Sequence, residues 1–301
     1  MPQEQHSAYN YLRPSKKFPN VWCSGCGIGI VMSALIRAID RIGLDKDDVA
    51  LVSGIGCTGR MPVYLDFNTM HTTHGRALAF ATGLKLAKPR LKVIVIMGDG
   101  DALAIGGNHF IHAARRNIDM TAIVVNNSIY GMTGGQYSPT TPLDARATTA
   151  PYGNIEPPLP VCELAIAAGA VYVARSTVYH AVELDRYLEQ AIRKNGFSMV
   201  EAVSYCHTTF GRLNKMGSPV DMMRQIKENS LTLASAEKIS TEERTTKIVR
   251  GVLHDVEKPE YTALYDQLIA RVRQSIESKS PQKEVTRDGQ EFRPYRNPVS
   301  G

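Results

Sequence analysis

A chain of 301 residues, 43% hydrophobic and 21% charged, has room for one large or two ordinary domains and is too apolar to be disordered. No apolar run approaches the ~20 residues that cross a bilayer and the first residues hold no signal-peptide core, so a cytoplasmic protein off the membrane is expected. The net charge of +6 suits anionic partners, but the basic residues are spread along the chain without interleaved aromatics, which argues against nucleic acid.

In chain order, the first notable feature is Cys23-Ser24-Gly25-Cys26, in a chain of only five cysteines. In a reducing compartment such a pair is redox-active or a metal clamp rather than a structural disulfide. Short β-branched runs at 49–56, 91–98, 121–127, 170–176 and 197–205 then alternate with apolar-periodic segments at 27–42, 75–88, 103–116, 162–169 and 180–194. Strand–helix alternation of this kind predicts an α/β fold, a mostly parallel sheet with helices on both faces. Residues 131–160 are rich in Gly, Pro, Thr and Ser, and a loop that long in a compact domain is usually functional. Beyond residue 230 the sequence turns polar, with one amphipathic helix near 261–277 and a polar tail. We therefore expect a domain over 1–230 and a partner-contacting C-terminal extension over 231–301.

The segment "VIVIMGDGDALAIGG" joins a strand to a helix through Gly98-Asp99-Gly100-Asp101. Glycines there let backbone N–H groups approach a phosphate, and ligands of parallel sheets bind beyond the carboxyl ends of the strands. Asn127, in "VVNNSIYG", follows Asp99 by 28 residues, about one helix and one strand, which returns it to the same sheet edge. A carboxylate, a carboxamide and a nearby carbonyl are the oxygen donors Mg²⁺ prefers. No Gly-x-x-x-x-Gly-Lys-Ser/Thr competes with that reading.

Cys57 in "SGIGCTGR" and Cys206 in "VEAVSYCHTT" also end strands, so Cys23, Cys26, Cys57 and Cys206 can converge, while Cys162 reads as a buried helix thiol. Four thiolates suit structural Zn²⁺ or a [4Fe–4S] cluster, and an electron carrier beside a cofactor makes the better sense of a shell assembled only by the whole fold.

The blocks "WCSGCG", "GIGCTGR", "HTTHGRALAFATGLK", "GDGDALAIGGNHFIHAARRN" and "NNSIYGMTGGQYSPTTP" resemble the β subunit of 2-oxoacid:ferredoxin oxidoreductases from about residue 19 to 229. "GMTGGQ…SPTTP" and "GSPVDMMRQIKENS" resemble the 2-oxoglutarate type. That resemblance implies the thiamin diphosphate-binding fold, in its diphosphate-binding domain. It implies oxidative decarboxylation of 2-oxoglutarate with CoA to succinyl-CoA, reducing ferredoxin, or the reverse. The same chemistry on pyruvate or another 2-oxoacid is the nearest alternative. A non-oxidative thiamin diphosphate decarboxylase or synthase subunit, or a zinc-stabilised scaffold, is the alternative of a different class. By resemblance, Asp99, Asn127 and the Ile129 carbonyl hold Mg²⁺, and Cys23, Cys26, Cys57 and Cys206 hold the [4Fe–4S] cluster. Gly98, Gly100, Asp101, Tyr130, Gly131, Met132 and Thr133 line the diphosphate, and Ile55, Gly56, Cys57 and Thr58 run past the aminopyrimidine. His74 lies near the reacting carbon, with Cys57 and Thr58 the other catalytic candidates. An α subunit would supply the glutamate that activates the aminopyrimidine, in an α2β2 assembly, and the long loop would order at the shared interface.

Overall fold

The structure, a computed structural model, describes residues 7–16 and 19–279. Eight strands form one sheet: β1 (Val49–Ser53), β2 (Asn68–His71), β3 (Lys92–Gly98), β4 (Met120–Asn126), β5 (Tyr172–Thr177), β6 (Phe197–Val203), β7 (Ser230–Thr232) and β8 (Ile248–Asp255). Their spatial order is β2-β1-β3-β4-β6-β5-β8-β7. Neighbouring strands run parallel except β5 and β8, which pair antiparallel. The helices that matter to the site are α1 (Ile28–Ile42), α2 (Ala77–Ala87), α3 (Asp99–Leu103), α4 (Gly107–Arg115), α5 (Val161–Ala168), α6 (Ala181–Arg193) and α7 (Pro219–Glu228).

The central strands are buried along nearly their whole length, because alternate side chains enter different cores. Leu51, Ile94, Ile96, Ile123 and Val125 pack with α1 and α6 on one face. Val52, Val95, Met97, Ala122 and Val124 pack with α2, α4 and α5 on the other. A strand buried on both faces must be apolar throughout, and that is why these runs were readable in the sequence.

Three features depart from the sequence reading. The helix expected over 103–116 begins later, as α4 at Gly107, and is parted from α3 by a turn over 104–106 that ends on Gly106, where helix propensity is lowest. Strand β2, at the sheet edge, is exposed along its length and so carries no apolar run. The third concerns the stretch beyond 230. Strands β7 and β8 join the sheet through β5, so the first compact unit runs to Leu264 and a second begins at Tyr265. The helix expected near 261–277 spans Tyr261–Lys279. The tail from 280 on and residues 1–6, 17 and 18 lie outside the described residues. Among the described residues no helix is long and apolar enough to cross a membrane.

Candidate functional site

Strands β1, β3, β4 and β6 are consecutive across the sheet, so the segments that leave their carboxyl ends meet. All fifteen residues that the resemblance assigns to the cofactor line one cavity there, of about 160 Å³. Its floor is Asp99, at the start of α3 and 2% exposed. Asp99 Oδ2 accepts from the hydroxyls of Ser138, at 2.5 Å, and Thr140, at 2.6 Å. Burial raises the Asp99 carboxyl above its ordinary range, although both hydroxyls oppose that rise.

The Asn127 carboxamide lies 2.8 Å from the Ile129 carbonyl oxygen and 3.2 Å from Asp99 Oδ1, with its own oxygen turned towards both. Rotated through 180°, its nitrogen would donate to each. The Asp99 carboxylate, the Asn127 carboxamide and the Ile129 carbonyl therefore lie together on one side of the cavity. A carboxylate, a carboxamide and a carbonyl so placed fit a hard divalent cation.

Behind the floor the polar contacts continue. The Thr140 hydroxyl also lies 2.9 Å from Asn126 Oδ1, and Asn126 Nδ2 donates to Glu201 Oε1 at 2.8 Å. Glu201 is 2% exposed; burial works against its charge, but Arg175, with Nε 2.5 Å from Oε2, holds the carboxyl below its usual range. Ser138, Thr140, Asn126 and Glu201 were not singled out in the sequence. The hydroxyls of "SPTT" in a loop expected to be functional were the available signal.

The roof is His74, whose Nδ1 lies 2.6 Å from Asp101 Oδ1. The backbone N–H of Gly75 donates to the same oxygen at 2.7 Å. Asp101 is 2% exposed, so its carboxylate grips the histidine from within the protein and leaves the ring at the cavity wall. Tyr130 donates through its hydroxyl to the Gly100 carbonyl. Its ring lies so close that a Cβ on Gly100 would sit 2.2 Å from it, so this position requires glycine. Burial, with Asp99 and Asp101 nearby, pushes the Tyr130 phenol up to about 12.

A second cavity, of about 270 Å³, is lined by Cys23, Cys26, Cys57 and Cys206. It shares Cys57, Asn127, Gly131 and Met132 with the first, so the two are neighbours across one thin wall. The Trp22 indole N–H donates to the Cys57 carbonyl at 2.8 Å, tying the amino-terminal pair to the β1 end. All five cysteines are free, and Cys162 is buried in α5, outside both cavities, with its thiol 3.2 Å from Glu201 Oε2. Among the described residues no three His, Cys, Asp or Glu side chains are drawn in tightly enough to grip a single metal ion. The four thiols ring a space instead, an arrangement that suits a group of several atoms. Burial pushes the Cys26 thiol up to about 11 and raises Cys57. At Cys206 burial acts the same way, but the Thr209 and Thr208 hydroxyls outweigh it and the thiol is lowered.

The loop 131–160 is crossed by hydrogen bonds within its own chain. Tyr130 N–H donates to the Gln136 carbonyl, Thr148 N–H to Gly135, and Leu159 N–H to Pro139. Asn154 Nδ2 ties the Thr141 and Glu156 carbonyls together. The loop nevertheless presents Tyr152 and Ile155 to solvent, 99% and 89% exposed.

Residues 54–202 match the family described as thiamine pyrophosphate enzyme, C-terminal TPP binding domain. The chain is 51% identical over 268 residues to the 2-oxoglutarate synthase subunit KorB of Methanocaldococcus jannaschii, covering 89% of this chain and 99% of that one. It is 46% identical over 191 residues, 63% of each chain, to the 2-oxoacid:ferredoxin oxidoreductase subunit beta of Saccharolobus solfataricus. Among solved structures it superposes with a TM-score of 0.79 and 31% identity on the 2-oxoglutarate:ferredoxin oxidoreductase of Magnetococcus marinus with 2-oxoglutarate, coenzyme A and succinyl-CoA bound. That match covers 93% of this chain and 98% of the other.

Proposed function

The chain belongs to the β-subunit family of the 2-oxoacid:ferredoxin oxidoreductases, and from that premise we propose that it is the cofactor-binding subunit of a cytoplasmic 2-oxoglutarate synthase. The reaction converts 2-oxoglutarate and CoA to succinyl-CoA and CO₂, with the released electron pair passed singly to ferredoxin. Thiamin diphosphate, when bound, supplies the carbon nucleophile and the electron sink that let a 2-oxoacid lose CO₂. The chain's own residues hold, orient and shield. The observation that carries the proposal is the shared wall: an oxygen-floored cavity and a thiol-ringed cavity meet at Cys57, Asn127, Gly131 and Met132.

Asp99, Asn127 and the Ile129 carbonyl would hold Mg²⁺ against the diphosphate, and Ser138 and Thr140 keep the Asp99 carboxylate fixed while it does so. His74, anchored by Asp101, is the side chain placed to accept or return a proton at the cavity wall. Cys23, Cys26, Cys57 and Cys206 would hold a [4Fe–4S] cluster, so Cys57 stands in both sites. The cavity mouth is flanked by the apolar side chains of Ile55 and Met132, 41% and 47% exposed. Together with the exposed Tyr152 and Ile155 they favour an α subunit that completes the enclosure and brings the activating glutamate, in an α2β2 assembly.

The test is to purify the chain anaerobically, alone and with its α subunit, and to measure visible absorption, iron, thiamin diphosphate and activity. Brown protein with bound cofactor, and CoA-dependent ferredoxin reduction by 2-oxoglutarate only after mixing, is the expected result. Full turnover by the isolated chain would overturn the heteromeric reading.

A further inference from the structure

Of the four thiols that ring the second cavity, one is set apart by its surroundings. Cys206 caps a single π-turn, His207–Gly211, that leaves β6. Its Sγ lies 2.8 Å from Thr209 Oγ1 and 3.6 Å from Thr208 Oγ1. Thr208 Oγ1 also lies 3.8 Å from Cys23 Sγ, so one hydroxyl spans two of the four sulfurs. The backbone N–H groups of Thr209 and Phe210 point the same way. Cys26 and Cys57 have no side-chain hydroxyl partner among the described residues, only backbone contacts. Hydroxyl donors therefore crowd one corner of the cavity, and the Cys26 and Cys57 sulfurs have none.

We infer that Thr209, assisted by Thr208, sets the reduction potential of the group these thiols hold, by donating hydrogen bonds to the Cys206 sulfur. The inference rests on the iron–sulfur reading above. A ligating cysteine is a thiolate and can only accept, so the hydroxyls must be the donors. Reduction adds one electron to a group already surrounded by anionic sulfur; no bond is made or broken, and each hydroxyl keeps its proton. A donor at sulfur stabilises the extra negative charge, so it favours the reduced form and raises the potential. Removing it makes the reduced group a stronger donor towards ferredoxin but harder to fill from the substrate. On this account the pair of threonines holds the potential between those two demands.

The experiment is an EPR-monitored redox titration of the anaerobically purified complex, as native protein and as Thr209→Val, Thr208→Val and Thr209→Ser. The expected result is an unchanged iron content and signal with the midpoint moved to more negative potential. The shift should be larger for Thr209→Val, whose contact is the shorter, and absent for Thr209→Ser, which keeps the hydroxyl. A native-like midpoint in Thr209→Val with its signal intact overturns the inference. So does a Thr209→Val protein that loses iron while Thr208→Val stays at the native potential, because the hydroxyls are then packing elements only. Native protein without iron or signal would instead sink the iron–sulfur reading on which the inference stands.

Discussion

The two cavities that share a wall are built in opposite ways. The oxygen site is assembled from adjacent strand ends: Asp99 follows β3, Asn127 and Ile129 follow β4, and these strands are immediate neighbours. Its supporting hydroxyls come from the loop that follows β4, so the whole floor is drawn from residues 99–140. The sulfur site draws on an amino-terminal pair, the end of β1 and the end of β6, spread over residues 23–206. The first is local and exists once three elements are in place; the second exists only when the whole sheet has closed. A local oxygen site can be tuned by one side chain, whereas a dispersed sulfur site should fail all at once when any corner is lost.

The largest expected effect tests that second half. Alanine at Cys23, Cys26, Cys57 or Cys206 should leave the protein colourless and without iron, whichever corner is removed. Cys162→Ala should keep both, since that thiol faces Glu201 and not the cavity. Iron and sulfide analysis of the five variants decides the matter, and iron lost from Cys162→Ala alone would reverse the assignment.

Next in size is Asp99→Asn, which should separate binding from folding. It removes the charge that would hold the cation, and thiamin diphosphate affinity should fall by more than about tenfold, roughly 1.4 kcal/mol. Yet the cation-free protein should melt higher. Burial raises the native Asp99 carboxyl, so its charge costs nothing in acid, begins to cost stability above the ordinary carboxylate range and costs it in full above the raised value. Asparagine escapes the cost, and its amide can pair with the Asn127 carboxamide. The gain in melting temperature should therefore appear at neutral pH and vanish in acid; a variant that is less stable at neutral pH contradicts this account.

Smaller again is Thr140→Val. It removes one donor from Asp99 and the link to Asn126, while Ser138 remains. A hydrogen bond to a charged group contributes about 1.5–3 kcal/mol, and partial compensation by Ser138 should keep the loss of cofactor affinity to about tenfold. Iron content should not change, because no thiol depends on Thr140. Calorimetric titration with thiamin diphosphate and Mg²⁺ measures the first, and an iron assay the second.

The same contrast governs what was legible in the sequence. Asp99 and Asn127 could be paired because one crossover separates them and buried parallel strands announce themselves as apolar runs. The convergence of Cys57 and Cys206 could be expected because both end strands, but the order β1-β3-β4-β6 that brings them together is not encoded in any local pattern. Strand β8, "IVRGVLHD", mixes a glycine and charges into its run and lies on the antiparallel side of the sheet, so it read as part of a polar extension. Ser138 and Thr140 lie in a loop without period, where only three-dimensional folding shows which hydroxyl meets which carboxylate. The hold of Asp101 on His74 is hidden for the same reason. Residues two apart, Asp99 and Asp101, face different tasks, one towards the floor and one towards the roof.

The smallest effect probes the wall itself, at Gly131. A Cβ built there would lie 3.2 Å from Cys206 Sγ, 3.8 Å from Cys57 Sγ and 3.9 Å from Thr209 Oγ1, while the oxygens of the floor are not among its three nearest neighbours. Gly131 is not among the glycines with positive φ, so alanine brings no backbone strain and its effect comes chiefly through the tight contact with the Cys206 sulfur. Free thiols can rotate away by the few tenths of an ångström required; sulfurs fixed on a cluster cannot, because four corners hold them at once. Gly131→Ala should therefore melt with the native protein when iron is absent, and lose iron faster than native protein under chelator when it is present. Thiamin diphosphate binding should stay within about twofold of native, a difference below half a kcal/mol. Equal chelator resistance would mean that the wall yields to the added methyl group, and that the two cavities are mechanically more independent than their four shared residues imply.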